Sequence, residues 1–224
     1  MTRSGKIGWN LFCLLFGFVF LVSSAWAGQP DNFTAKMVME GITMPIAKMG
    51  HKMRIENPMM QGMVTISLKD AQKVITYSTQ TKTYTEQAEA DQMPSLDDPR
   101  VIVDKKKIGT EKIDNHPCIK YDAVIYLKDK PDDKYKTILW EAEDLKGLAI
   151  RQEVTFPPGK RGGGGREKAV TELKEVKLGA ANASMFEIPK GYRKVDNMME
   201  MMGGPAGMEK QMQQMDEMMK KKKR

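Results

Sequence analysis

Cysteine is nearly missing from this chain of 224 residues, which has only Cys13 and Cys118. Cys13 falls in an N-terminal stretch expected to be removed, so the mature chain keeps one thiol and no internal disulfide. A dimer bridge through Cys118 and a thiol half buried on a strand both stay open, because an exported chain meets an oxidising compartment. Histidine is as scarce, with His51 and His116 far apart in sequence. No Cys-x-x-Cys, His-Glu-x-x-His or Gly-x-Ser-x-Gly occurs, which removes the redox dithiol, the zinc peptidase and the serine hydrolase of those patterns. The four glycines of RGGGGR, 161–166, lack the Lys-Ser or Lys-Thr that would bind phosphate and metal. Asp97-Asp98 and Asp132-Asp133 read as solvated loop acids. No catalytic residue and no enzyme activity are expected.

Long hydrophobic runs are also rare. The one present, LFCLLFGFVFLV at 11–22, is 12 residues, against the roughly 20 a spanning helix needs. Arg3 and Lys6 precede it and Ala25-Trp26-Ala27 follows it, the order of a cleavable secretory leader over residues 1–27. Phe12 stands before Cys13, where a lipoprotein leader needs a small residue, so no lipidated cysteine is expected. An excess of one charge is missing too. Set aside Arg3, Lys6 and the basic end Lys220–Arg224, and the remaining basic residues balance the 29 acidic ones. The basic isoelectric point describes a tail, and a nucleic-acid surface loses its support. The tail itself reads as a solvated terminus or as a segment touching anionic lipid head groups.

Methionine is abundant, with 20 in the chain and eight between Lys36 and Met63. Thioether sulfur suits Cu(I), and the flexible methionine side chain suits apolar surfaces that fit more than one shape.

From Phe33 to about Leu178 apolar and polar residues alternate with period two, the mark of antiparallel strands with one wet face. FTAKMVMEGIT carries Phe33, Ala35, Met37 and Met39 on one side. IAKMGHKMRIE, read as one run, carries Ala47, Met49, His51, Met53 and Ile55. MVTISL, QKVITYS, KTYTE, VIVDKKKIGTEKI, CIKYDAVIYLKD, KYKTILWEAE, LAIRQEVTF and AVTELKEVKL continue the pattern. CIKYDAVIYL puts Ile119, Tyr121, Ala123, Ile125 and Leu127 together, and LAIRQEVTF puts Leu148, Ile150, Val154 and Phe156 opposite Arg151 and Glu153. Turns are expected at Asp114-Asn115-His116-Pro117, Lys130-Pro131-Asp132-Asp133 and Pro157-Pro158-Gly159. Residues 86–100 read as a short helix or loop. After residue 195 the chain changes: Met208, Met212, Met215 and Met219 form one helical stripe beyond Gly203-Gly204-Pro205, in a flexible extension too short to hold a helix alone.

Three stretches, GTEKIDNHPCIKYDAVIY (109–126), ILWEAEDLKGLAIRQE (138–153) and SMFEIPKGYRKV (184–195), occur in an order that resembles a family of uncharacterised bacterial periplasmic domains. That family is similar to the outer-membrane lipoprotein-carrier superfamily typified by LolA and LolB. Asn115 stands where that pattern usually has glycine, and Ala149 where it has proline. The early KMRIE and KTYTE fit the family's first hairpins. The resemblance covers roughly residues 33–195. It implies a mainly β (α+β) fold: a curved antiparallel sheet forming an incomplete barrel with short helices on the concave side. The division expected is a leader over 1–27, a carrier-like half-barrel over 28–195 and a Met-rich, Lys-terminated tail over 196–224.

The resemblance also implies a non-enzymatic periplasmic protein that holds a lipid, a lipoprotein's acyl chains or another hydrophobic ligand, without a cofactor. Residues expected to line the hollow are Met37, Met39, Met49, Met53 and Ile55, with Ile125 and Leu148 on neighbouring strands; filling of an ordinary core by the same residues stays open. Trp140 and Tyr192 read as packing residues with polar tips. Two other functions also stay open. One is a periplasmic Cu(I) protein using Met49, His51 and Met53, at alternate positions of one strand, or Met208, Met212 and Met215 in the tail. The other is a structural envelope protein whose tail docks onto a partner protein or an anionic membrane surface.

Overall fold

In this computed structural model the described residues are 30–58, 60, 62–88, 100–156, 167–207, 209 and 213. The leader, the RGGGGR segment, the Pro157-Pro158-Gly159 turn and Met208, Met212, Met215 and Met219 lie outside them. Among the described residues every alternating segment forms strand: β1 (Asn32–Met39), β2 (Ile42–Met49), β3 (Lys52–Asn57), β4 (Met63–Leu68), β5 (Lys73–Ser78), β6 (Thr83–Ala88), β7 (Val101–Ile113), β8 (His116–Leu127), β9 (Lys130–Ala142), β10 (Leu148–Thr155) and β11 (Lys168–Leu178). A two-residue β12 (Arg193–Lys194) and a single turn of helix, α1 (Met198–Met201), follow. The fold is mainly β, as the alternation requires. The strand order β12-β6-β5-β4-β3-β2-β1-β11-β10-β9-β8-β7 is that of an open 12-stranded sheet. Hairpin neighbours pair antiparallel, whereas the short β12–β6 contact is parallel, with Arg193 opposite Thr83 and Lys194 opposite Tyr84.

Short turns join the hairpins. Glu40 and Gly41 both take positive φ between β1 and β2, and Asp114 and Asn115 do so between β7 and β8. Two consecutive left-handed residues match the twist of the strands they join, which explains why Asn115 serves where glycine is usual. The expected turn at Lys130–Asp133 is instead at Lys128–Asp129, with Lys130 opposite Leu127; Pro131 follows inside β9, near its hairpin end. Residues 86–88, read as part of a helix or loop, finish β6.

The chain divides into two compact units, residues 1–30 with 93–173 and residues 31–92 with 174–224. In the second unit Ala47, Val64, Ile66, Ile75 and Tyr77 on one sheet face pack against Ala181 and Phe186, with Met49, Leu68, Tyr84, Met185, Ile188 and Tyr192 around them. Residues 181–192 thus cover that face, and a 3-10 turn at Ala183–Phe186 lies within them. Asn32 anchors the segment, donating from Nδ2 to the Ala181 carbonyl and accepting from the Ala181 N–H, both at 3.0 Å. Tyr192 meets Tyr77 edge-on with ring centroids 5.4 Å apart, a favoured aromatic geometry.

In the first unit Ala123, Ile125, Leu139 and Ala149 form the buried cluster, flanked by Val101, Val103 and Tyr121. Its opposite face carries a cross-strand row in which Lys120, Trp140 and Arg151 lie side by side and Arg151 faces Glu172. Lys120 and Arg151 stand over the Trp140 ring at 4.7 and 5.1 Å, and Trp140 Nε1 donates to Glu111 at 2.8 Å. The packing role expected of Trp140, with its polar tip satisfied, is what the structure has.

Gly62, ahead of β4, has φ +77, and a Cβ there would collide with Thr79 Oγ1, whose own N–H donates to the Gly62 carbonyl. Gly62→Ala therefore combines left-handed strain with a clash. It is expected to lower stability by about 1–3 kcal/mol in urea denaturation, while Gly50→Ala, where the added Cβ meets nothing, loses less.

Candidate hydrophobic face and its surroundings

A one-residue change of parity decides which methionines share a surface, so cross-strand register is the starting point. Met37 pairs with Met44 and Ala35 with Ile46 across β1–β2. Ile46 pairs with Ile55 and Lys48 with Met53 across β2–β3, and Ile55 with Thr65 across β3–β4. Directly opposed residues of an antiparallel pair point to the same side. Phe33, Ala35, Met37 and Met39 of β1, Ile42, Met44 and Ile46 of β2, and Met53 and Ile55 of β3 therefore lie on one face of the second unit. It is the face opposite the one that residues 181–192 cover.

Exposure is graded along this face. Phe33, Met37 and Ile46 are buried at 1%, 0% and 3%, whereas Met39, Ile42, Met53 and Ile55 are only half buried. Past β3 the same face changes character. Thr65 of β4, Thr76 and Ser78 of β5, and Thr83 and Thr85 of β6 carry hydroxyls on it, all but Thr65 buried. Lys48, buried beside Phe33 and Met53 in register, is a cation on the apolar part of this face. An antiparallel sheet ordinarily keeps one wet face; on β1–β3 that is the other side, with Thr34, Lys36, Thr43, Lys52, Arg54 and Glu56 on it.

Met49 does not belong to the set. The run IAKMGHKMRIE is not one strand: Gly50, with φ +56, and His51 form a turn, and Met49 pairs with Lys52. Two turn residues reverse the chain, so odd positions before the turn and odd positions after it point to opposite sides. Met49 packs with Ala47 into the covered core, Met53 faces the other way, and His51 is exposed in the turn. The proposed S, N, S set of Met49, His51 and Met53 is therefore not on one strand face. Met208, Met212 and Met215 lie outside the described residues. Among those residues no group of three or more His, Cys, Asp or Glu side chains is placed to hold a metal.

Ile125 and Leu148 belong to the first unit. Ile125, opposite Val103 and Tyr135, is buried in the cluster with Ala123 and Leu139. Leu148 pairs with Ala142, the register that continues from Trp140, and so lies on the face opposite Ile125. A bulge between Ala149 and Arg151 shifts β10 there, which is why alternation alone placed Leu148 with Ile150. The apolar face with Ile125 also holds a partly buried ion pair, Lys105 Nζ to Glu141 at 2.5 Å, with the ammonium 4.5 Å from the Tyr121 ring centroid.

Cys118 is more deeply buried than expected, at 1%. Burial pushes its thiol pKa up, and Sγ donates to the His116 carbonyl at 3.4 Å. The His116 ring is engaged elsewhere, 2.8 Å from Asp144. A thiol held this way is inert and closed to an intermolecular bridge. The hydroxyl row on β4–β6 went unrecognised in the sequence, although its signal is there: MVTISL, KVITYS and TYTEQA each place Thr or Ser at alternate positions.

No family model matches the sequence, and no curated protein does. Solved structures similar to it include a complex of Pseudomonas aeruginosa MucA and MucB, at 14% identity and TM-score 0.44, covering 73% of this chain and 58% of the matched one. MucB in complex with MucA(peri) matches at 15% identity and TM-score 0.34, over 74% of this chain and 57% of that one. A LolA superfamily protein from Nitrosomonas europaea matches at 10% identity and TM-score 0.32, over 74% and 92%. This chain thus spans less than two thirds of the matched chains in the two MucB complexes.

The face assignment has a direct consequence. Met49→Asp puts a carboxylate against the packed core and is expected to cost about 2–3 kcal/mol in urea denaturation, while Met53→Asp, half exposed on the other face, leaves the midpoint within about 1 kcal/mol of wild type. A thiol reagent is expected to label Cys118 only after denaturant unfolds the chain; rapid labelling of the native protein would contradict the burial.

Proposed function

We infer that this is a non-enzymatic binding protein of the bacterial periplasm that holds a lipid, a lipoprotein's acyl chains or another hydrophobic ligand against the methionine face of its second unit. One observation carries the reading. β1, β2 and β3 gather their apolar side chains on the side that residues 181–192 do not cover, and that side presents Met39, Met53, Ile42 and Ile55 half exposed beside buried Met37 and Met44. An apolar surface left partly open on a small domain marks a site of interaction. Methionine suits acyl chains of varied length, because three rotatable bonds and a polarizable sulfur let the wall reshape around each. The driving force is the removal of apolar surface from water, about 25 cal/mol per Å². The basic-apolar-small pattern of residues 1–27 supports export. Among the described residues no helix is long and apolar enough to cross a membrane.

Native mass spectrometry of protein purified gently from a bacterial periplasm tests this reading. Heterogeneous added masses matching fatty acid, acylglycerol or phospholipid are expected, and Met39→Asp with Met53→Asp should weaken binding more than tenfold, since each buried methionine contributes about 1.5–3 kcal/mol. Unchanged lipid binding by the folded double variant would remove the methionine face from the site. Copper in whole-number steps would replace the reading with Cu(I) binding, and a clean protein mass would replace it with docking of a protein partner.

A further inference from the structure

The hydroxyl end of the methionine face is occupied by the chain's own backbone. Thr83 and Thr85 are buried at alternate positions of β6, with Ser78 and Thr76 opposite them on β5. Thr81, in the turn before β6, donates from Oγ1 to the Met201 carbonyl at 2.7 Å, and Thr83 Oγ1 lies 2.7 Å from Thr81 Oγ1 and 3.3 Å from the same carbonyl. Two threonine hydroxyls thus converge on one carbonyl oxygen. That carbonyl comes from α1, whose Met201 is buried at 0% and whose capping residue Met202, which follows it, is buried at 5%. The next hydroxyl along the strand, Thr85 Oγ1, is buried and has no hydrogen-bond partner among the described residues. Leaving such a group unpaired costs stability, so its retention in a half-apolar face points to a partner that arrives from outside the fold.

The element supplying the Met201 carbonyl is short and is seated by the buried Met201 and Met202 side chains and by the hydroxyls on that carbonyl. Four residues are too few for a helix to be stable in isolation. The start of α1 is capped by the Asn197 side chain accepting from the Glu200 N–H at 2.9 Å, and the exposed Arg193–Glu200 pair at 3.1 Å ties it to β12. Gly203 and Gly204, both at positive φ, come after the helix cap Met202.

We propose that Thr81, Thr83 and Thr85 form a carbonyl-binding subsite for the acyl-ester group of an uncharged lipid, and that α1 closes this subsite by presenting the Met201 carbonyl in the ester's place. The proposal rests on the methionine face being the wall for the acyl chain, and it adds what the polar end of that ligand must be. Hydroxyls donate to an ester carbonyl and satisfy it without charge. On this face β4, β5 and β6 carry Met, Val, Thr, Ser and Gln and no cation, and the neighbouring Arg193 of β12, opposite Thr83, is already paired with Glu200 at 3.1 Å, so an uncharged ester suits the hydroxyls better than a carboxylate or phosphate that would have to compete for that pair. Lys48 is on β2, three strand spacings from β5, or roughly 14 Å. The register row Ile55–Thr65–Thr76–Thr85 runs from the apolar strands to the unpaired hydroxyl without a break, so an acyl chain along it brings its ester to β6.

The full chain is titrated with monoolein, an uncharged ester, and with oleate, its carboxylate counterpart, using native mass spectrometry. Thr85→Val, which keeps the branched shape without the hydroxyl, and Thr85→Ser, which keeps the hydroxyl, are compared with wild type, and amide hydrogen exchange over residues 197–203 is followed. The expected result is monoolein bound at least tenfold tighter than oleate by wild type. Thr85→Val should lose about tenfold for monoolein and little for oleate, at a thermal midpoint no lower than wild type. Thr85→Ser should retain the preference, and exchange at 197–203 should rise when monoolein binds. If wild type binds neither probe, the methionine-face reading itself fails. If wild type and Thr85→Val bind monoolein equally, or exchange at 197–203 is unmoved by it, the ester subsite is wrong while the methionine face stands.

Discussion

Two hydrogen bonds from one side chain determine how the second unit uses its sheet. Asn32 receives the Ala181 N–H and donates to the Ala181 carbonyl, so its amide acts as one more peptide unit, pairing residue 181 to the start of β1. The Gly179 N–H donates to the Asn32 carbonyl at 2.8 Å just before it. With the chain held there, residues 181–192 run over one face and bring Phe186 and Tyr192 onto Val64, Ile66, Ile75 and Tyr77. Each such apolar side chain contributes about 1.5–3 kcal/mol when buried. The covered side becomes an ordinary core, and whatever function an apolar sheet can have is left to the other side.

The far end of that segment is secured by charge. Arg193 and Lys194 pair in parallel with β6, and Glu86 accepts from Lys194 at 2.8 Å and lies 3.2 Å from Lys73. These partners hold the Glu86 carboxyl below its usual value, the hydrogen bond from Lys194 most of all. A depressed carboxylate stabilises the fold above its unfolded-state pKa, and that contribution fades as pH falls through the depressed value. β12 is thereby tied most firmly at neutral pH, and it leads straight into α1 and the threonine hydroxyls of β6.

The first unit solves a different problem, a sheet face that carries a large aromatic ring among charges. Trp140 is 3% exposed on it because Lys120 and Arg151 lie over the ring and Glu111 takes its N–H. Arg151 is fixed in turn by Glu172 and Glu153 at 2.8 and 2.7 Å. Isolated surface pairs contribute little; here the long stems of Lys and Arg cover apolar surface as well as carrying charge.

Local chemistry made the strands and several turns legible. Period-two alternation marked β1 to β11, and Asp114-Asn115 marked a tight hairpin, because side-chain direction in a strand and left-handed backbone in a turn are properties of neighbouring residues. Ile119 to Leu127 were placed on one side correctly for that reason. Met37, Met39, Met53 and Ile55 were likewise identified as one surface. What pattern alone could not supply was the point at which alternation resets. The Gly50-His51 turn sends Met49 into the covered core, and the bulge at Ala149 sends Leu148 away from Ile125. Each is a displacement of one or two residues that inverts every face beyond it. Nor does alternation say which face of the sheet the chain will cover. That was decided by residues 181–192 and α1, more than a hundred residues from β1–β3, through contacts that exist only once the chain has folded back.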